Sequence, residues 1–172
     1  NTMSLNKYHI IIIVESVLLA AALGLGLWWY VYNEVQRNVE KTFEDGTVYK
    51  GGWLAGKMHG TGVLTLTDGE IYEGDFKDGR RNGTGKVKLA GGAEYDGSWV
   101  DDKYHGQGRY VSAKGNVYEG EWVYGRLPQG RITNKEWVYE GDLDGMSPSG
   151  VGITEYTDGR VYSGHWYDGY KQ

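Results

Sequence analysis

Two patterns of apolar and polar residues divide this chain. From Ile10 to Tyr32 the residues are apolar except for Glu15 and Ser16. Beyond Lys41 that run gives way to short stretches in which an aromatic, a glycine and a second large apolar residue take every second position, as in Tyr49-Lys50-Gly51-Gly52-Trp53. A continuous apolar run of this length predicts a membrane-spanning helix, and alternation with period two predicts half-buried β-strands. The chain thus divides into a tail over 1–9, a transmembrane helix over 10–32, a juxtamembrane stalk over 33–44 and β-structure over 45–172. In the stalk Val35, Val39 and Phe43 recur at four-residue spacing, so the helix is expected to continue as a short amphipathic segment.

The β-pattern repeats. Tyr49, Tyr72, Tyr95, Tyr118, Tyr139 and Tyr162 stand at steps of 23, 23, 23, 21 and 23 residues. Two residues after each comes Gly (Gly51, Gly74, Gly97, Gly120, Gly141, Gly164), and two further on Trp53, Phe76, Trp99, Trp122, Leu143 or Trp166. Regularity of this kind is the signature of a repeat array. Counting from Tyr as zero, the first two units also share glycines at +7, +11, +13 and +20, from Gly56, Gly60, Gly62 and Gly69 to Gly79, Gly83, Gly85 and Gly92. Asp45-Gly46, Asp68-Gly69 and Asp158-Gly159 precede the aromatic strands. Asp-Gly between strands predicts a tight hairpin with both central residues at positive φ. Tyr, Gly and the second aromatic share one face, and the Gly leaves a gap for neighbouring rings.

This constellation resembles the MORN repeat family over roughly Lys41 to Gln172, in five full units and a terminal half unit. The resemblance implies one β-hairpin per repeat, stacked into an elongated, twisted, single-layer antiparallel sheet with a groove. Together with the helix, the expected fold class is an N-terminal transmembrane α-helix plus an all-β hairpin array. Unit four departs from the pattern: it is two residues short, and Asn134-Lys135-Glu136-Trp137 stands where Asp-Gly is expected. A bend or irregular turn is expected there, and altered packing in unit five, where Leu143 replaces Trp.

The twenty residues Ile10–Trp29 make a helix about 30 Å long, the hydrocarbon thickness of a bilayer. Trp28, Trp29, Tyr30 and Tyr32 suit the lipid–water interface. Apolar sequence runs on past Ala20-Ala21-Ala22, so the segment reads as an uncleaved anchor, with Met3 the expected native start. Glu15 is a carboxylate about 7–8 Å inside the bilayer, a costly placement that marks function. Ala22 and Gly26 lie on its side of the helix, and this small-residue face is a candidate for docking other transmembrane helices. A short tail before the anchor and a folded domain after it fit a signal anchor, so the array is expected outside the cytoplasm.

Composition narrows the chemistry. With no Cys there are no disulfides, thiolate metal sites or cysteine nucleophiles. The segment from Thr42 onward carries fifteen Lys/Arg against twenty Asp/Glu and so holds the whole net charge of −5. An acidic domain is repelled by nucleic acid and by anionic lipid. Lys77, Arg80, Arg81, Lys86 and Lys88 gather near one turn and read as a solvated basic loop. His59 and His105 occupy equivalent +10 positions two repeats apart, too far to share a metal. No cofactor, metal or convergent catalytic group is indicated, and an enzyme is not expected.

The functional expectation is a single-pass membrane protein that scaffolds a membrane complex or serves as its accessory subunit, with an integral membrane protein as partner. Tyr49, Trp53, Tyr72, Phe76, Tyr95, Trp99, Tyr118, Trp122, Tyr162 and Trp166 are the candidate partner-binding aromatic face. The sheet edge near Tyr162–Trp166 is a candidate for self-association. A lipid-contact module and a module binding cell-envelope carbohydrate are the alternatives.

Overall fold

The computed structural model describes residues 36–172. The expected transmembrane segment, with Glu15, Ala22 and Gly26, lies outside the described residues. Among the described residues no helix is long and apolar enough to cross a membrane.

The described chain is one antiparallel sheet whose thirteen strands follow one another in sequence order. They are β1 Gln36–Thr42, β2 Val48–Leu54, β3 Lys57–Thr65, β4 Ile71–Lys77, β5 Arg80–Lys88, β6 Glu94–Val100 and β7 Lys103–Val111. The remainder are β8 Val117–Trp122, β9 Gln129–Thr133, β10 Trp137–Asp144, β11 Ser147–Tyr156, β12 Val161–Tyr167 and β13 Tyr170–Lys171. At about 4.8 Å between strands the sheet runs on the order of 60 Å.

The first correction concerns the stalk. Val35, Val39 and Phe43 are spaced as on a helix, yet Gln36–Thr42 is strand β1 beside β2. The Asp45-Gly46 turn explains it. Phe43 N–H donates to the Thr47 carbonyl (2.8 Å) and Gly46 N–H to the Phe43 carbonyl (3.0 Å), which turns the chain back on itself. β1 then gains β2 as a hydrogen-bonded neighbour, and a four-residue apolar spacing cannot outweigh that.

The second correction concerns the turns. At Asp45-Gly46, Asp68-Gly69 and Asp158-Gly159 only the glycine has positive φ, as at Gly69 (94°). Gly69 N–H donates to the Leu66 carbonyl and Leu66 N–H to the Glu70 carbonyl, so three residues make the loop, a type I turn closed by a glycine bulge. The Asp68 carboxylate accepts from Glu70 N–H at 2.9 Å. The two-residue turn with both positions at positive φ sits instead at +6 and +7: Ala55-Gly56, Asp78-Gly79, Asp101-Asp102, Tyr124-Gly125 and Asp168-Gly169.

The register settles which face each strand residue takes. Tyr49 lies opposite Leu64, Tyr72 opposite Val87 and Tyr95 opposite Tyr110, so position +15 joins the aromatic face. Successive hairpins are also stitched through their turns. The N–H at +7 donates to the +9 carbonyl of the preceding unit: Gly79 to Met58, Asp102 to Arg81, Gly125 to Tyr104 and Gly169 to Pro148. Between units four and five Leu143 N–H on the Pro128 carbonyl (2.9 Å) takes its place.

Candidate functional site

The aromatic ladder is built by a rule that runs through the array. Tyr49, Tyr72, Tyr95 and Tyr139 each lie over the glycine two residues on and the glycine facing it across the hairpin, and Tyr162 lies over Gly164 alone. A Cβ on Gly85 would meet Tyr72 Cζ at 2.5 Å and Cε2 at 2.6 Å. The hydroxyl then donates to the carbonyl three residues on: Tyr49 to Gly52 (2.7 Å), Tyr72 to Asp75 (2.9 Å), Tyr95 to Ser98 (2.9 Å), Tyr139 to Asp142 (2.7 Å) and Tyr162 to His165 (3.0 Å). Unit four breaks the rule. There Leu127 covers the glycine pair, its methyls 3.0–3.2 Å from where Cβ atoms would stand on Gly120 and Gly130.

Neighbouring units lock edge to face. Tyr49 meets Phe76 at 5.2 Å and 84°, Tyr72 meets Trp99 at 5.1 Å and 84°, Tyr95 meets Trp122 at 5.6 Å and 88°, and Tyr139 meets Trp166 at 5.4 Å and 82°. Such T-shaped pairs add about 0.5–1.5 kcal/mol each beyond area burial. Trp99 and Trp122 donate their indole N–H to the Gly85 and Gly108 carbonyls, 2.9 and 3.1 Å away.

Of the predicted aromatic face, Tyr49, Tyr72, Phe76, Tyr95, Trp99, Tyr118, Trp122 and Trp166 are buried, none more than 8% exposed, while Trp53 and Tyr162 are half-buried. The ladder is the array's core. Burial is the leading cause that raises the phenol pKa values, for Tyr95 and Tyr104 to about 12. Tyr49, Tyr72 and Tyr139 are raised for the same first reason.

The sequence reading missed the cap over this core. Position +9 carries Met58, Arg81, Tyr104, Leu127, Pro148 and Lys171. Tyr104 stacks on Tyr95 at 3.8 Å, Arg81 lies over Trp99 (4.5 Å) and Tyr72 (5.6 Å), and Lys171 over Tyr162 (4.8 Å). The supposed solvated basic loop is therefore structural in part. Arg81 is held by Glu70 (2.9 Å) and Asp102 (3.2 Å), Arg80 pairs with Asp101 (3.6 Å) and Lys86 with Glu94 (3.5 Å). Arg81 could have been suspected from its +9 position, equivalent to the apolar Met58.

The opposite face carries a cross-strand row of charge. In register it runs Lys50, Val63, Glu73, Lys86, Asp96, Arg109, Glu119, Arg131, Glu140 and Ile153. From Glu73 to Glu140 the sign alternates at every strand, and Arg109 meets Glu119 at 3.1 Å. Each charge thus has an opposite charge across the ladder. Beside this row Asp75 accepts from Thr84 N–H (2.8 Å) and its hydroxyl (3.0 Å). Asp142 repeats the motif on Val151 N–H (2.9 Å), and this bond, followed by that from Gln129, holds its pKa below the ordinary carboxylate value. Among the described residues no cluster of His, Asp and Glu could hold a metal.

Residues 49–71, 72–93, 95–117 and 118–127 match the MORN repeat family model. No curated protein sequence matches the chain. The hairpin with its tyrosine-to-carbonyl bond continues in units five and six, at Tyr139 and Tyr162. On the repeat match and the geometry that accompanies it, the chain is a MORN-repeat protein.

Proposed function

We propose that this chain is a membrane-anchored scaffold or accessory subunit that holds a protein partner on the aromatic side of its array. The supporting observation is the rim of that side. Behind the fully buried rings, Trp53, Tyr104, Tyr110, Trp137 and Tyr162 are only half-buried. Large rings left partly in water along one face are the kind of anchor that protein interfaces use. The opposite face, with its charges matched strand by strand, needs no partner. In this reading the segment 10–32 spans the membrane, Glu15, Ala22 and Gly26 face other transmembrane helices, and the array stands outside the cytoplasm.

The test is purification of the full chain from its native membrane in mild detergent. Wild type should bring a stoichiometric integral membrane protein that Tyr110→Ser/Trp137→Ser loses at a temperature where circular dichroism shows the double variant still folded. Glu15→Leu should weaken the same association. A partner retained by all variants, or none with wild type, refutes the reading.

A further inference from the structure

A cavity of about 280 Å³ opens on the aromatic side where units four and five meet. Its walls include Tyr118, Ile132, Trp137, Thr154, Tyr156 and Trp166. Its origin lies in four departures from the repeat. Position +4 of unit five is Leu143 where four other units have Trp and one Phe. The cap at +9 is Pro148, smaller than the Arg81 and Tyr104 that close units two and three. Position +15 is Thr154, where the first three units have Leu64, Val87 and Tyr110. The stitch that should join Met146 to Leu127 is replaced by Leu143 on Pro128, and Met146, at the cavity wall, is 40% exposed.

The polar groups here are left unused. The Thr154 hydroxyl and the Trp166 indole N–H are buried without a hydrogen-bond partner, and both residues line the cavity. In the regular units the equivalent indoles of Trp99 and Trp122 are spent on the Gly85 and Gly108 carbonyls. Trp166 Nε1 can only donate, and Thr154 Oγ1 can donate or accept. Lys171 Nζ stands 4.5 Å from the Tyr156 ring and 6.0 Å from that of Trp166. The Trp166 indole and the Lys171 ammonium can only donate and so call for an oxygen acceptor, and the aromatic walls call for a flat apolar body.

We propose that this cavity binds a small planar aromatic molecule carrying an oxygen acceptor, a carboxylate or a phenol, with the oxygen received by Trp166 and Thr154 and the ring held among Tyr118, Trp137 and Tyr156. The cavity shares Trp137 with the partner surface proposed above, but the two tests are separable: co-purification can fail while this titration succeeds.

The full chain, labelled with nitrogen-15 at its indoles, is titrated with 4-methylbenzoate and separately with p-cresol, Trp signals being assigned by Trp→Phe variants. The Trp166 indole N–H signal should move saturably with at least one probe, while those of Trp99 and Trp122 stay in place. Thr154→Leu restores the residue found at Leu64, so it should fold, and it should abolish the movement. No movement of Trp166 with either probe, or equal movement in Thr154→Leu, overturns the proposal. Movement with N-acetyltyrosinamide but neither free probe also overturns it, in favour of an anchor pocket for a partner's side chain.

Discussion

Three glycines within eight residues separate the physical reasons for which this repeat uses glycine. Gly85 lies under the Tyr72 ring, where a Cβ would stand 2.5 Å from Cζ. Gly92 has φ +86° and open space around it, and Gly91 has open space and no such φ. Each is changed to Ala. At Gly85 the ring must be displaced, which costs about 1–3 kcal/mol as overpacking. Displacement also strains the Tyr72 hydroxyl bond to the Asp75 carbonyl (2.9 Å), worth about 1 kcal/mol. The sum is about 3 kcal/mol. Gly92→Ala carries only the left-handed backbone term, about 1–2 kcal/mol. Gly91→Ala should be neutral or stabilising by up to about 1 kcal/mol, because it restricts the unfolded chain. Thermal unfolding followed by near-ultraviolet circular dichroism reads the order: Gly85→Ala lowest, Gly92→Ala next, Gly91→Ala at or above wild type. Since each 1 kcal/mol moves the midpoint of a domain this size by a few degrees, Gly85→Ala should fall by about 10 °C. If Gly85→Ala melts with Gly91→Ala, the ring does not lie over that glycine and the packing rule is wrong.

The hydroxyl bond can be tested alone: Tyr95→Phe, which loses the bond to the Ser98 carbonyl, should cost about 1 kcal/mol in a denaturant titration. Tyr118→Phe, where Leu127 covers the glycines instead, should cost less. Burial raises Tyr95 and Tyr104 from 10.0 to about 12, so their contribution is whole below pH 10, where both folded and unfolded phenols are neutral, and is lost as pH rises towards 12. Tyrosinate absorbance should therefore show these rings ionising well above pH 10, towards 12; an independent titration near pH 10 in the folded protein would contradict their burial. Arg81→Met removes two carboxylate partners and the guanidinium over Trp99, and should lower stability by about 1–3 kcal/mol. Arg80→Ala removes one exposed pair and should change it by less than about 0.5 kcal/mol.

Much of this architecture is legible in the residues. The tyrosine steps give the number of hairpins, and the Tyr-x-Gly-x-Trp alternation gives the buried face. What stayed hidden depends on register. Asp-Gly looks like the tight turn, but its Asp carboxylate favours a type I turn by accepting the N–H two residues on. The tight turn falls at +6 and +7, on Ala55-Gly56, on Asp101-Asp102 without any glycine, and on Asp78-Gly79 and Asp168-Gly169, which as dipeptides look the same as the bulged Asp-Gly loops. The cap at +9 has no residue type in common, because Met, Arg, Tyr, Leu, Pro and Lys share only a place over the core. The charge row is likewise invisible until +1 of one strand is known to face +14 of the next.

The 21-residue step shows why a two-residue deletion need not break the sheet. Removing one residue from a strand would turn every later side chain to the wrong face. Here the loss is split between two connections. Gly51 pairs with Gly62, eleven residues on, but Gly120 pairs with Gly130, ten residues on. The arm that lost the residue is the one that elsewhere carries the positive-φ glycine, Gly60, Gly83, Gly106 or Gly150. The second residue is missing from the loop after β9, where Asn134 N–H reaches the Trp137 carbonyl across two residues instead of three. Parity survives, and Tyr118, Ile132 and Tyr139 all stay buried on one face. The sheet order runs through without interruption. What the shortened connection does change is the depth of the turn, which moves the inter-unit stitch from Met146 to Leu143. The irregularity thus appears as a cavity on the aromatic side, with no break in the order of strands.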